Sequence, residues 1–397
     1  GRITMDRVED LRNSFSNKLL QKVPNLGSII YFVSFTCYLF AMSLKGTMLV
    51  NFLLSERALF YLSIIPAFLV TLKIIFLDDH KWQDLTIFML LEIILFAVGT
   101  NANEYQIFYL LFFIIGAKNI DIDKILQLFI WINLVVIVLS LIFALNGSVR
   151  NVMITRADSP AVRYSLGAVY PTDLAARGFF MMLAYTALKR FKLNIAEYIS
   201  CVALTALVYF VTDTRIDLLL MLFLLICVAV YPKLSPLFAK IPAYLLEVVT
   251  ILYTLAIILM GYFYHPGFWP LEKINSFLSG RLILEKVAFN DYNVPLLGQY
   301  IYQNGFGGGF KVVDYFYIDS SYVRTLMMHG IIIFALMFLL FYLLFTRFRQ
   351  EKLYYWSICL LLVVLTAGID QHMWDVSYNF VFLALFANLN GSRQLVA

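Results

Sequence analysis

The chain has 397 residues, of which 62% are hydrophobic and only 14% charged, with a formal net charge of +5. Soluble domains carry roughly 25% charged residues, so the composition excludes a soluble globular protein. It points to an integral membrane protein whose first partner is the lipid bilayer, and nothing in it calls for nucleic acid.

Residues 1–26 place Val8, Leu11, Phe15 and Leu19 at helical spacing, with Arg7, Glu9, Asp10, Arg12 and Lys18 around them. This pattern predicts an amphipathic helix on the inner leaflet. A signal peptide would need a short basic start and a small-residue cleavage site, and neither is present. Apolar stretches then recur near 27–44, 58–77, 84–100, 105–117, 125–145, 173–189, 196–212, 216–232, 243–263, 322–346, 353–369 and 376–390. Most have the length of about 17 to 25 residues that crosses a hydrocarbon core as a helix. Barrel strands would alternate instead of staying continuously apolar. The expected fold is an all-α polytopic membrane protein with about twelve transmembrane helices. Nine of them fall in 27–263, together with an outer loop at 146–172; a larger outer loop covers 264–321, and 322–397 holds the last three.

Loop charges orient the chain. With a cytoplasmic N-terminus, the inner connectors carry Lys118, Lys124, Lys189, Arg190, Lys192, Lys233, Lys240, Arg347, Arg349 and Lys352, as the positive-inside rule requires. Both termini are therefore expected in the cytoplasm. Seven arginines then lie on the outer side, where positive charge is scarce: Arg150, Arg156, Arg163, Arg177, Arg215, Arg281 and Arg324. A guanidinium is always charged and holds oxyanions through paired hydrogen bonds, so their placement points to an anionic, phosphorylated ligand.

Other chemistries leave no trace. Cys37, Cys201, Cys227 and Cys359 lie within predicted spans and form no CxxC pair. His80, His265, His329 and His372 lack metal-ligand spacing, so no metal or other cofactor is expected. There is no GxxxxGK[ST] element, and the cluster Gly305, Gly307, Gly308 and Gly309 follows no βαβ strand. These glycines either turn an outer loop tightly or let a ligand approach the backbone.

The loop from Tyr264 to Ser321 is long and rich in aromatics, including Trp269, Tyr292, Tyr300, Phe306, Phe310, Tyr315 and Tyr317. That content argues for a segment folded over the helix ends rather than a solvated tail. Its rings fit either a sugar's apolar face or an ordinary interfacial belt. Arg177 lies about one turn inside its predicted helix, where ionisable residues face a cavity or a partner. Arg215 stands in a Thr212–Asp217 turn, where Asp213 or Asp217 offers a pairing. In Asp319-Ser320-Ser321-Tyr322-Val323-Arg324, Asp319 or Ser320 is either an N-cap or, for Asp319, a general base with Arg324 one turn below. A carboxylate base and arginines at a departing diphosphate would need no metal.

The strings RYSLGAVYPTDLAARGFFMMLAYTALKR, VTDTRIDLLLMLFLL, SGRLILEKVAFNDYNVPLLGQYIYQNGFGGGF and DYFYIDSSYVRTLMMHGIIIFALMFLL, taken in order over roughly 160–345, resemble the Wzy-type O-antigen and capsular polysaccharide polymerases. Their wider relatives are the O-antigen ligases. The resemblance implies a GT-C-like glycosyltransferase of the bacterial plasma membrane, acting at its outer face. It would transfer a growing glycan from one undecaprenyl-diphosphate carrier to the non-reducing end of a repeat unit on another, with a flippase and a chain-length regulator as associated proteins. By position, the family's arginine before the sixth span falls on Arg163 or Arg177, its helix-start arginine on Arg215 with Thr214 in place of a serine, and its Gly-Arg element on Gly280-Arg281. Asp319 stands where the ligases have a histidine, which favours the polymerase branch; His372 is the reserve catalytic candidate. The alternatives are a ligase of nearly the same architecture and a polysaccharide or anion transporter, which would show repeat symmetry and interrupted helices.

Overall fold

The computed structural model describes residues 2–156, 159–305 and 312–391. An amphipathic helix α1 (Arg2–Lys22) precedes α2 (Leu26–Lys45), α3 (Val50–Leu53), α4 (Glu56–Phe76), α5 (Trp82–Ala102), α6 (Gln106–Gly116) and α7 (Ile122–Leu145). An antiparallel hairpin of β1 (Met153–Arg156) and β2 (Ser159–Tyr164) leads into α8 (Pro171–Leu188), α9 (Ile195–Thr212), α10 (Arg215–Lys240) and α11 (Ala243–Phe263). The large loop holds α12 (Trp269–Phe277) and α13 (Arg281–Asp291), after which α14 (Ser321–Arg324), α15 (Ile331–Gln350) and α16 (Tyr354–Ala367) follow. Asp158, Phe306, Gly307, Gly308, Gly309 and Phe310 lie outside the described residues.

Several starts are written locally. Ser55 accepts from Ala58 N at the start of α4, Asp121 from Asp123 N at α7, and Asn194 with Glu197 forms a capping box at α9. Each satisfies backbone donors that the first helical turn leaves without partners.

Among the described residues, eight helices, α2, α4, α5, α7, α9, α10, α11 and α15, are long and apolar enough to cross a membrane. The chain is thus a multi-pass helical membrane protein, with fewer long spans than the twelve expected. α6 has only 11 residues and α16 only 14, and α8 carries Asp173 and Arg177 in its first two turns. The expected span at 376–390 is not an α-helix.

That last segment begins beside the start of α14, where Ser321 donates from its backbone and its hydroxyl to Asp370 O. It finishes beside the start of α7, where Ile122 N donates to Asn388 O and Asn388 N to Ile120 O. Between them the only helix is a short 3-10 turn at Val381–Leu385. Non-helical backbone at membrane depth is tolerated when it is wrapped in protein. Here Phe129 and Trp356 pack on Phe380, Phe341 packs on Phe382, and Arg347 donates to Ala384 O at 2.6 Å and to Ala387 O. Hydropathy reports that the segment is apolar; whether it coils depends on neighbours supplying its backbone partners.

Successive spans reverse, so their ends gather at two faces. The lysine-rich end is locked by Lys73, 1% exposed, whose Nζ lies 2.8 Å from both Asp78 oxygens and donates to Gly116 O and Lys118 O at the close of α6. At the opposite, loop end, the span expected over 322–346 is interrupted. α14 continues as a π turn over Thr325–His329 and stops at Gly330, whose φ is 98°. Residues 295–299 are threaded into this break: Ile331 N donates to Pro295 O and Gln299 N to Met328 O, both at 3.0 Å.

A Cβ at Gly330 would lie 2.5 Å from Leu296 O. Gly330→Ala combines positive-φ strain with this backbone clash and is expected to cost about 2–4 kcal/mol. Gly147→Ala, at φ 79° with open space around it, is the control and is expected to cost about 1–2 kcal/mol. Thermal midpoints of the two purified variants check the difference.

Candidate active site at the loop end

The hairpin is held down by its arginines. Arg163, inward-facing on β2 and 5% exposed, donates from Nε to Thr212 O at 2.8 Å and from Nη2 to Thr214 Oγ1 at 3.3 Å. Arg156 pairs with Asp213 at 3.5 Å. Asp213, open as a pairing for Arg215, is thus engaged by the hairpin. Arg215 begins α10 and is exposed, and Asp217, two residues further along the same helix, is buried.

Arg177 is an interior strut. Only 1% exposed, it donates from Nη1 to Asn133 Oδ1 and from Nη2 to Ser43 O, both at 2.8 Å, and lies 4.5 Å from the Tyr378 ring centre. It ties α2, α7 and α8 to the non-helical final segment. A Cβ at Gly46 would come within 2.5 Å of its Nη2, so that glycine is part of its socket. Of the two surroundings its depth allowed, Arg177 meets partners inside the protein.

At Asp319 the sequence left two roles open, and the structure separates them. Ser320 is the N-cap of α14, its hydroxyl accepting from Val323 N. The Asp319 carboxylate is left available and stands 3.7 Å from Arg281 Nε. Arg281 opens α13 after Gly280, whose φ is 85°, and donates from Nη1 to Leu278 O. Arg324 donates to Gln303 Oε1 at 2.9 Å and to Ile318 O at 3.1 Å, pairs with Glu104 at 3.4 Å and lies over the Tyr317 ring. Burial raises the Asp319 carboxyl above the ordinary aspartate range, while Arg281 and then Arg324 pull it back.

His372 belongs to the same end. Its Nε2 is 3.3 Å from Asp173 Oδ1, and its ring stacks on Tyr378 at 3.7 Å. Burial alone would lower this imidazole, but Asp370, Asp173 and Asp375 together hold it above its usual value. Asp173 and Asp370 also act electrostatically on Asp319. The site thus gathers Asp319, Arg281, Arg324 and the His372–Asp173 pair from four separated stretches of chain. Arg163 acts electrostatically on Arg281, Arg215 follows Thr214, a hydrogen-bond partner of Arg163, and Arg177 meets the Tyr378 ring on which His372 stacks.

Sequence reading passed over Asp173, Glu104, Asp370 and Glu285. Asp173 looks like any acidic residue in a first helical turn. Glu285 follows Arg281 by one turn of α13, the one available signal. It is 2% exposed, with Oε2 unpartnered among the described residues. Burial, reinforced by Asp319, pushes its carboxyl up to about 8 against the pull of Arg281. No protein-family model, curated protein or solved structure matches the chain.

Arg177→Leu leaves Asn133 and the Ser43 carbonyl buried without their donor and is expected to destabilise the fold by about 3 kcal/mol. Arg281→Ala, at the accessible edge, is expected to change stability by no more than about 1 kcal/mol. Thermal unfolding of both variants in detergent distinguishes strut from site.

Proposed function

We propose that the chain is a GT-C-like polymerase of lipid-linked polysaccharide repeat units in a bacterial plasma membrane, with about twelve crossings and its active site facing the exterior. The observation that carries this reading is the Asp319 carboxylate, released from capping by Ser320 and flanked by Arg281 and Arg324. In this reading Asp319 takes the proton of an acceptor sugar hydroxyl. The hydroxyl oxygen bonds to the donor's anomeric carbon as that carbon's bond to the diphosphate oxygen breaks. Polyprenyl diphosphate leaves with the electron pair, and cationic side chains offset its charge. Arg281 is nearest to the base, and exposed Arg215 is placed to meet a diphosphate arriving from the lipid side. Tyr315 and Tyr317 border the same region and offer rings to the glycan. The His372–Asp173 pair is the second candidate base.

A carrier is the other reading, favoured by the interruption at Gly330 and the non-helical passage through the bundle, since carriers place substrates at broken helices. The two separate in detergent, where there is no second compartment. Only the transferase releases polyprenyl diphosphate from defined lipid-linked repeats and lengthens the glycan; transfer onto a lipid A core acceptor alone would mark a ligase.

Asp319→Asn is expected to slow elongation by about 10²- to 10⁴-fold with an unchanged thermal midpoint. Undiminished turnover would remove Asp319 as the base and pass the role to His372. The base works deprotonated, and burial raises Asp319, so the acid limb of the rate profile is expected above the ordinary aspartate range. Arg281 pulls that value down, so Arg281→Ala is expected to move the limb to higher pH. A limb that moves down or stays fixed contradicts the assignment.

A further inference from the structure

The loop end leaves one large feature of the molecule without a role. A cavity of about 930 Å³ runs between α5 and α15, floored by α6 and the end of the final segment. Its volume lies within the roughly 300–1,000 Å³ of small-molecule sites. Its throat is apolar, formed by residues such as Phe88, Leu91, Leu95, Ile114, Met337 and Leu340. On α5 the lining runs from Asp84 to Leu95, a rise of about 16 Å, or half of a hydrocarbon core of roughly 30 Å. The cavity therefore has the depth of one leaflet.

Its mouth, at the lysine-rich end, is polar and carries both signs of charge. Lys118, Arg347 and His80 stand with Asp84 and Glu351. His80 is 7% exposed, and its Nε2 has no hydrogen-bond partner among the described residues. Lys118 spends one donor on Asp79 O, and Arg347 is anchored on Ala384 O and Ala387 O. Asp84 and Glu351 are exposed, and Glu351 accepts from Asn390 Nδ2 at 3.2 Å. A purely anionic head group would meet two carboxylates here, and a purely cationic one would meet Lys118 and Arg347.

We propose that this cavity binds a phospholipid of the inner leaflet with a zwitterionic, primary-amine head group, a phosphatidylethanolamine. An acyl chain fills the throat, the phosphate lies toward Lys118, Arg347 and His80, and the ammonium donates to Asp84 and Glu351. Phosphatidylcholine carries the same phosphate and the same net charge, but its quaternary ammonium has no N–H to donate. The site discriminates between the two by that hydrogen bond. The inference concerns the opposite end from the transfer chemistry and does not depend on it.

The test is native mass spectrometry of the delipidated full chain titrated with dioleoyl phosphatidylethanolamine, phosphatidylcholine and phosphatidylglycerol. The ethanolamine lipid is expected to bind about tenfold more tightly than the choline lipid, the value of one charge-assisted hydrogen bond, and more tightly than the glycerol lipid. Asp84→Asn with Glu351→Gln is expected to abolish the ethanolamine preference while leaving choline-lipid binding in place. Leu340→Trp, which fills the throat, is expected to remove bound lipid altogether. Equal affinity for the ethanolamine and choline lipids overturns the proposal, as does preference for the glycerol lipid or displacement of the ethanolamine lipid by a polyprenyl phosphate. If Leu340→Trp does not fold, the double carboxylate variant decides the question by itself.

Discussion

A bilayer core offers no water, so every polar group carried into it must find a partner inside the protein. The rest of this structure depends on that constraint. Arg177 is admitted to the interior because Asn133, the Ser43 carbonyl and the Tyr378 ring receive it. Lys73 is admitted because Asp78 and two carbonyls at the close of α6 surround its ammonium. The final segment runs through the bundle without an α-helix because Arg347, Asn379 and neighbouring backbone supply hydrogen bonds to it.

The same demand organises the loop end, with a different outcome. There the charges are paired across long sequence distances: Arg324 with Glu104, His372 with Asp173, Arg156 with Asp213. Pairing of this kind positions side chains more than it stabilises the fold, because the cost of withdrawing charges from water offsets much of their attraction. Arg281 and Asp319 are held at 3.7 Å, beyond hydrogen-bond distance yet close enough to influence each other's charge. Such an arrangement gives a carboxylate whose proton affinity is tuned by neighbours that a substrate can also touch.

The two ends consequently differ in kind. At the loop end, long inserted segments, the hairpin and the chain threaded into the Gly330 break cover the helix termini. At the lysine-rich end the connections are short, and a cleft opens between α5 and α15.

Composition and apolar run length determined the class of protein, the amphipathic first helix and the placement of most spans, because these properties are local and additive along the chain. They also drew attention to Asp319, Arg281, Arg324 and His372, since charge is conspicuous in an apolar sequence. Which of the outer-side charges are enclosed and which stay partly exposed was decided by tertiary structure alone. Arg177 and Arg281 are the same residue type near the same end, yet one is enclosed by four elements and the other borders an accessible carboxylate. Ser320 and Asp319 compete for one cap, and only the backbone path shows that Ser320 takes it. The helix expected over 376–390 was equally beyond reach, since an apolar segment coils or extends according to the partners its backbone meets. Those partners come from other elements: Arg347 on α15 and the Ile120 and Ile122 backbone at the start of α7.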